Sequence, residues 1–335
     1  MDFSLTDAQL ALTAVASRLF DDARDRQVPA AGAALDRVLW SGLAAANLLG
    51  TAIPEVYGGS GLSVLELCLV LECQGRAAVH APVLETLVMG ALPLSRFGSE
   101  EQCRRWLPGV VSGDVVLSAA LPGQLVPAGD VADALIVADG HSLVLVEAGR
   151  AKMTRQVATT GEVVLTLDEV PDGELMSGTP EASVWLEQMT TLALCAQQVG
   201  LAEAAVEMTA AYTTERHQFG RPIASFQAVQ QRIADAYIDV ACMRSTMLLG
   251  AWRAGAGLSV DEEVKVAKYW AAEGGHRVVQ AAQHLHGGVG VDLAYPLHRY
   301  TLWSKMIELA LGGASEQLER LGADLAERYT AAARR

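Results

Sequence analysis

The sequence predicts a mainly α-helical chain with one small β domain set between two helical regions, and three observations predict it. Apolar residues recur at steps of three and four up to about residue 113 and again from about residue 183. Between those stretches the helical period gives way to short β-branched runs. The 335 residues are 51% hydrophobic and 19% charged, a composition that buries enough apolar surface for two or three ordered domains. The expected division is 1–113, 114–178 and 179–335.

The first region is Ala- and Leu-rich, and Pro54, Gly58-Gly59-Ser60-Gly61, Pro82 and Pro108-Gly109 punctuate it as turns. Strands are expected at Val115-Val116-Leu117, Ala134-Leu135-Ile136-Val137, Leu143-Val144-Leu145-Val146 and Val163-Val164-Leu165-Thr166-Leu167, with Asp139-Gly140 as the hairpin turn between the middle two. Some 60 residues are short for a barrel with room inside. From Ser183 a long helix follows, its stripe marked by Trp185, Met189, Leu192, Ala196 and Val199. A second helix has Phe226, Val229, Ile233, Tyr237, Val240 and Met247 on one stripe and stops at Gly255 and Gly257. Ser259 and Glu262 have the spacing of a capping box that opens a third helix running to Gly287. A fourth begins near Pro296, and Gly312-Gly313 separates it from a last helical segment. Long helices joined by short links make an antiparallel bundle.

Charge and cysteine content narrow the function. Thirty-nine acids against 25 bases give a net charge of −14, which repels nucleic-acid backbones. Cys68, Cys73, Cys103, Cys195 and Cys242 form no C-x-x-C pair and read as reduced core residues of a cytoplasmic protein. The acidic start Met1 to Asp7 lacks the features of a signal peptide, and no apolar run reaches the length of a membrane span.

The general catalytic signatures fail. Gly58 to Leu62 lacks the last glycine of a nucleophile elbow, and Gly288-Val289-Gly290 follows a helix, so it is no dinucleotide fingerprint. His284 and His286 point to different faces of a helix, and no metal shell is expected. What remains is Tyr212 to Gln227. There a helix end carrying Arg216 and Phe219 meets a Gly/Pro turn and then a helix start with Ser225 as expected N-cap and Gln227 in the first turn. A guanidinium beside a helix N-terminus suits a pyrophosphate. Equally, Arg216 and Gln227 can be solvated turn residues and Phe219 ordinary core; the residues alone leave both readings open.

This stretch, Arg216-His217-Gln218-Phe219-Gly220-Arg221-Pro222-Ile223-Ala224-Ser225-Phe226-Gln227, resembles the R-x-Q-F-G-x-P-I-x-x-F-Q signature of the acyl-CoA dehydrogenase superfamily. Ile53 to Ser63 resembles its N-domain turn, and His284 to Gly290 followed by Tyr295-Pro296 and Arg299 resembles its Q-x-x-G-G-x-G…Y-P…R segment. The resemblance spans essentially the whole chain and implies the family fold: a helical domain, a β-barrel-like middle domain and a C-terminal four-helix bundle. It implies that Arg216, Gln218, Phe219 and Gln227 touch an FAD held mainly by an adjacent subunit. Gly287 and Gly288 approach the same FAD, and His284 stands where a glutamine is usual.

The resemblance also implies what is missing. The family's catalytic base is a glutamate before a glycine, or a carboxylate on the first long helix; Gly312 and Thr190 occupy those positions. Ser118-Ala119-Ala120-Leu121-Pro122-Gly123 keeps little of the loop that holds the flavin ring, and no Trp lies between Trp106 and Trp185. The expectation is a subunit of a heteromeric FAD-dependent acyl-CoA dehydrogenase, resembling the shortened subunits of bacterial steroid side-chain degradation. It would lend pyrophosphate and adenosine contacts to a homologous partner, in an α2β2 heterotetramer that takes an acyl-CoA and passes electrons to an electron-transfer-flavoprotein-type acceptor. The alternatives are a self-sufficient enzyme with its base relocated to Glu187 or Glu308, and a flavin-free scaffold protein.

Overall fold

The computed structural model describes residues 4–26, 35–157 and 163–333. The first helical region comprises α1 (Asp7–Asp25), α2 (Arg37–Ala45) and α3 (Val64–Ala77), then a π-helical stretch Leu84–Ala91 continuing into α4 (Leu92–Phe97), and α5 (Glu100–Ser112). Polar pairs three residues apart start three of these helices: Thr6/Gln9, Ser63/Glu66 and Ser99/Gln102 form reciprocal capping boxes.

The β region has strands β1 (Leu117–Ala120), β2 (Ala134–Ala138), β3 (Leu143–Glu147), β4 (Met153–Val157), β5 (Val163–Leu167) and β6 (Glu174–Ser177). Four strands form a sheet in the order β1-β2-β3-β6, while β4 and β5 pair as a separate ribbon bridged to Val126 through Leu165. These two sheets are what the barrel-like expectation becomes here. The Asp139-Gly140 turn joins β2 to β3 as expected. The Asp139 carboxylate accepts from the N–H groups of His141 (2.8 Å) and Ser142 (2.7 Å), and Gly140 takes φ +87°. β4 and β6 were not foreseen: Thr154, Arg155, Gln156 and Glu174 sit on exposed backbone and give no apolar alternation.

The C-terminal region is built on α6 (Pro180–Glu215), a 36-residue helix, with α7 (Gln227–Gly255), α8 (Asp261–His286), α9 (Leu297–Leu309) and α10 (Ala314–Ala333). The expected Ser259/Glu262 capping box does not form. Helix α8 starts at Asp261 after an uncapped Val260, the Ser259 hydroxyl donates to the Asp261 carboxylate at 2.6 Å, and Glu262 pairs with Arg328. The expected α7 stripe also breaks at Tyr237, which is 68% exposed although Ala236 and Val240 beside it are buried. All five cysteines are free, and among the described residues no helix is long and apolar enough to cross a membrane.

Helix α6 reaches its place because two glycines let backbones touch. A Cβ on Gly75 would lie 2.1 Å from the Gln197 carbonyl oxygen, and one on Gly200 would lie 2.0 Å from that of Glu72. The approach is reinforced by a buried bond from the Gln197 amide to Gln74 (3.1 Å). It also seals Glu72 inside: one carboxylate oxygen meets Arg244 of α7 at 2.5 Å, and the other makes no hydrogen bond. Arg244 also reaches Glu203 (3.4 Å), which Arg76 holds at 3.0 Å.

Burial raises the Glu72 carboxyl to about 7, outweighing the pull of Arg244. The folded chain therefore keeps a proton that the unfolded chain releases. Its contribution to stability is complete below the ordinary carboxylate range and is lost as pH rises toward about 7. Thermal melts from pH 4.5 to 8 should show wild type losing, relative to Glu72→Gln, on the order of 3 kcal/mol across that window. Parallel profiles for the two proteins would rule this out.

Candidate functional site

Because α6, α7 and α8 alternate in direction, the end of α6, the start of α7 and the end of α8 meet at one end of the bundle. All the cofactor-contact residues expected from the sequence fall there. Helix α6 stops at Glu215, so Arg216 is its cap and not part of its last turn: its N–H donates to Tyr212 and its carbonyl accepts from Ile223 (2.8 Å). A two-residue hairpin follows, strand β7 (His217–Gln218) pairing with β8 (Arg221–Pro222).

The hairpin tip is Phe219-Gly220, with φ +54° and +78°. Phe219 is therefore an aromatic side chain in the left-handed region, and it is 91% exposed, which overturns the reading of it as core. Its ring meets Phe226 edge-on at 6.2 Å, and the Arg221 guanidinium lies 4.2 Å over the same Phe226 ring. Ser225 is not the N-cap of α7. Its hydroxyl turns back to the Pro222 carbonyl (2.7 Å), Phe226 takes the cap position without a side-chain bond, and the helix opens on an exposed Gln227. The first-turn N–H groups thus have no capping side chain, next to the exposed Arg216.

An aromatic stack joins this hairpin to the end of α8. His286 is buried and stacks on Tyr212 of α6, centroids 4.4 Å apart. Its Nδ1 lies 2.8 Å from the Ala282 carbonyl and so carries the proton, which leaves Nε2 to accept from the Tyr295 hydroxyl at 3.0 Å. Burial holds its pKa below the ordinary histidine value. His284, two residues earlier, is exposed. Gly287 follows with φ +61° and ψ −138°, a conformation that only glycine adopts easily. Gly288 is exposed, and a Cβ there would meet nothing within 4 Å, so this chain's own packing does not require a glycine.

The two expected base positions lie elsewhere. Thr190 is 26 residues before Arg216 on the same helix, about 39 Å along its axis. Thr190 is buried and its hydroxyl donates to Leu186 (2.8 Å). Arg320 of α10 ties that half of α6 down, contacting Glu187 at 3.2 Å and Glu316 at 2.5 Å. Gly312 adjoins the same cluster: a Cβ on it would lie 2.9 Å from both the Glu316 carboxylate and the Gln317 amide. Neither nearby carboxylate is unengaged. Glu187 is paired with Arg320, and Glu308 with Lys305 (2.6 Å) and His276 (3.2 Å). Lys268, fully buried and lowered to about 8 by that burial, donates to the carbonyls of Ile307 (2.6 Å) and Glu308 (3.2 Å) and fixes the end of α9.

The family model for the acyl-CoA dehydrogenase N-terminal domain matches residues 6–114, and that for the acyl-CoA dehydrogenase C-terminal domain matches residues 187–326. The chain is 38% identical to the acyl-CoA dehydrogenase FadE27 of Mycobacterium tuberculosis, over 98% of this chain and 99% of that protein. The chain belongs to the acyl-CoA dehydrogenase family. Among solved structures it superposes on a chain of the ChsE4–ChsE5 complex from Mycobacterium tuberculosis with a TM-score of 0.90 at 39% identity, covering 98% of this chain and 99% of that one. A variant of the Tcur3481–Tcur3483 steroid ACAD gives 0.88 at 39% identity, covering 97% and 99%.

The family binds FAD, and its fit to this chain can be judged from the side chains. The nucleotide tail fits: exposed Arg216 and Gln227, an uncapped helix start and the open Gly288 converge on one end of the bundle. The β region offers the ring little from β1. All of β1 is buried, and its one hydroxyl, Ser118, is committed to the Pro127 carbonyl at 2.5 Å. Sequence reasoning missed Tyr212, His286 and Tyr295 as a unit. Tyr212 is 74 residues from His286, and their only signal was an aromatic or imidazole within each recognised motif.

Two substitutions separate packing from ligand approach. Gly288→Ala should leave the melting temperature of the isolated chain within about 2 °C of wild type, the range of a neutral surface change, whereas Gly287→Ala should cost about 1–3 kcal/mol. Phe219→Asn, which relieves the left-handed strain, should raise stability in the same melts by up to about 1 kcal/mol.

Proposed function

We propose that this chain is the cofactor-lending subunit of a heteromeric acyl-CoA dehydrogenase. The observation that carries the reading is the separation of its functional parts. Arg216 and Thr190, one of the family's two base positions, stand about 39 Å apart along α6. An FAD gripped by Arg216, Gln218, Phe219, Gln227, His284, Gly287 and Gly288 therefore presents its ring to another subunit and away from Thr190 and Gly312. FAD supplies the hydride acceptor for α,β-desaturation of an acyl thioester. This chain supplies the grip: Arg216 pairs with the pyrophosphate, the α7 start offers N–H groups, and Gly288 admits the cofactor closely.

The partner is a homologue that retains the glutamate, the ring-binding loop and the acyl-CoA pocket. Apolar residues open to solvent near the clamp favour such a partner: Phe219 at the hairpin tip, Tyr237 and Ile238 on α7, and Val291 and Leu293 beyond the glycines. A CoA thioester of a steroid side chain is the substrate class suggested by the relative named as a steroid ACAD. An α2β2 assembly and an electron-transfer flavoprotein as oxidant complete the reading. Engagement of Glu187 and Glu308 in ion pairs weighs against a self-sufficient enzyme with a relocated base.

The test is to purify the chain alone and co-expressed with a longer homologue that keeps the base, then to measure flavin absorbance and acyl-CoA-dependent dye reduction. Colour and turnover should appear only with the partner, and Arg216→Ala should lower the FAD affinity of the complex by about tenfold or more, as expected for a charge-assisted contact. Thioester oxidation by the chain alone would overturn the reading in favour of the self-sufficient enzyme, and a complex without flavin would favour the scaffold.

A further inference from the structure

We infer that His286 is the positioning residue of the clamp: acting through Tyr212 and Tyr295, it fixes the glycine segment of α8 in register with the arginine hairpin of α6. The inference rests on the clamp reading above and adds to it a residue that itself touches no cofactor.

The geometry is specific. Three elements meet at one imidazole: Tyr212, one turn before Arg216, lies against its face; Ala282, one turn back on α8, holds Nδ1–H; and Tyr295, beyond the glycines, donates to Nε2. Tyr212 also points its hydroxyl at the His286 carbonyl, 3.5 Å away, at the peptide that leads into Gly287. The ring is 3% exposed, so water does not compete for its nitrogens. Gly287 and Gly288 have no side chains of their own to pack, and the residues on both sides of them, His286 and Tyr295, are bonded together. The Tyr295–His286 bond thus closes the loop that the glycines occupy. Without it the segment keeps the Gln283 amide on the Gly287 carbonyl (3.1 Å) but loses its tie to Tyr295, so it samples more conformations, and a ligand that needs one of them meets it less often.

The test uses the complex with the partner homologue and measures the FAD dissociation constant from the fluorescence of released flavin, with melting temperatures recorded in parallel. His286→Leu and Tyr295→Phe each remove the same hydrogen bond and should each weaken FAD binding by about tenfold, the factor one such bond is worth. The two together should be little worse than either alone. His286→Gln, whose amide oxygen can accept from Tyr295, should recover most of the affinity. Tyr295→Phe loses a single oxygen, so it folds even where His286→Leu does not. Unchanged FAD affinity in Tyr295→Phe, with Arg216→Ala weakened, would overturn the positioning role and leave the clamp standing. Failure of His286→Gln to recover affinity lost in His286→Leu would also overturn it. Full affinity in Arg216→Ala would overturn both.

Discussion

The structure depends on the contact of two helix backbones, α3 against α6, at Gly75 and Gly200. Each glycine faces a carbonyl of the other helix at a distance no side chain could occupy. That contact seats a 36-residue helix through the middle of the molecule, and the parts of the candidate site are then placed by distance along it. The hairpin, the glycines and the aromatic stack gather at one end of it. Thr190 and the Arg320 cluster lie toward the other.

The same close approach creates the least comfortable group in the fold. Glu72 is locked beneath α6 with one oxygen on Arg244 and the other unbonded. A buried carboxylate of this kind adds little net stability even when paired, because its desolvation consumes most of the attraction. Its place between α3, α6 and α7 makes it a fastener of register more than a source of strength. Lys268 does comparable work on the far side of the bundle, where its ammonium meets two carbonyls at the end of α9.

Most of the fold was legible from periodicity. The helices and the Asp139-Gly140 hairpin follow from apolar spacing and turn chemistry. The misses have local causes. β4 and β6 are exposed and polar, so no alternation marks them. Ser259 and Ser225 have the right spacing for caps, but each hydroxyl is taken by a nearer acceptor, Asp261 in one case and Pro222 in the other. In the site, the motif residues were readable because their types match a known signature. Phe219 could be named but not placed, since nothing local says that an aromatic residue will occupy a left-handed turn in solvent. The Tyr212–His286–Tyr295 stack was invisible because residues 74 positions apart are joined only by the bundle itself.

Gly312 adopts φ +96°, directly after Leu311 at +57°, and the Gln317 amide clasps the Leu311 carbonyl at 2.9 Å. Installing a glutamate there would place its Cβ against Gln317 and Glu316 and demand a backbone that L-residues resist. A single substitution to glutamate is therefore poorly accommodated. Seating a carboxylate at this corner would require the turn, its amide latch and the neighbouring Glu316 side chain to change together, so the geometry of one short loop decides which side chains the position can carry.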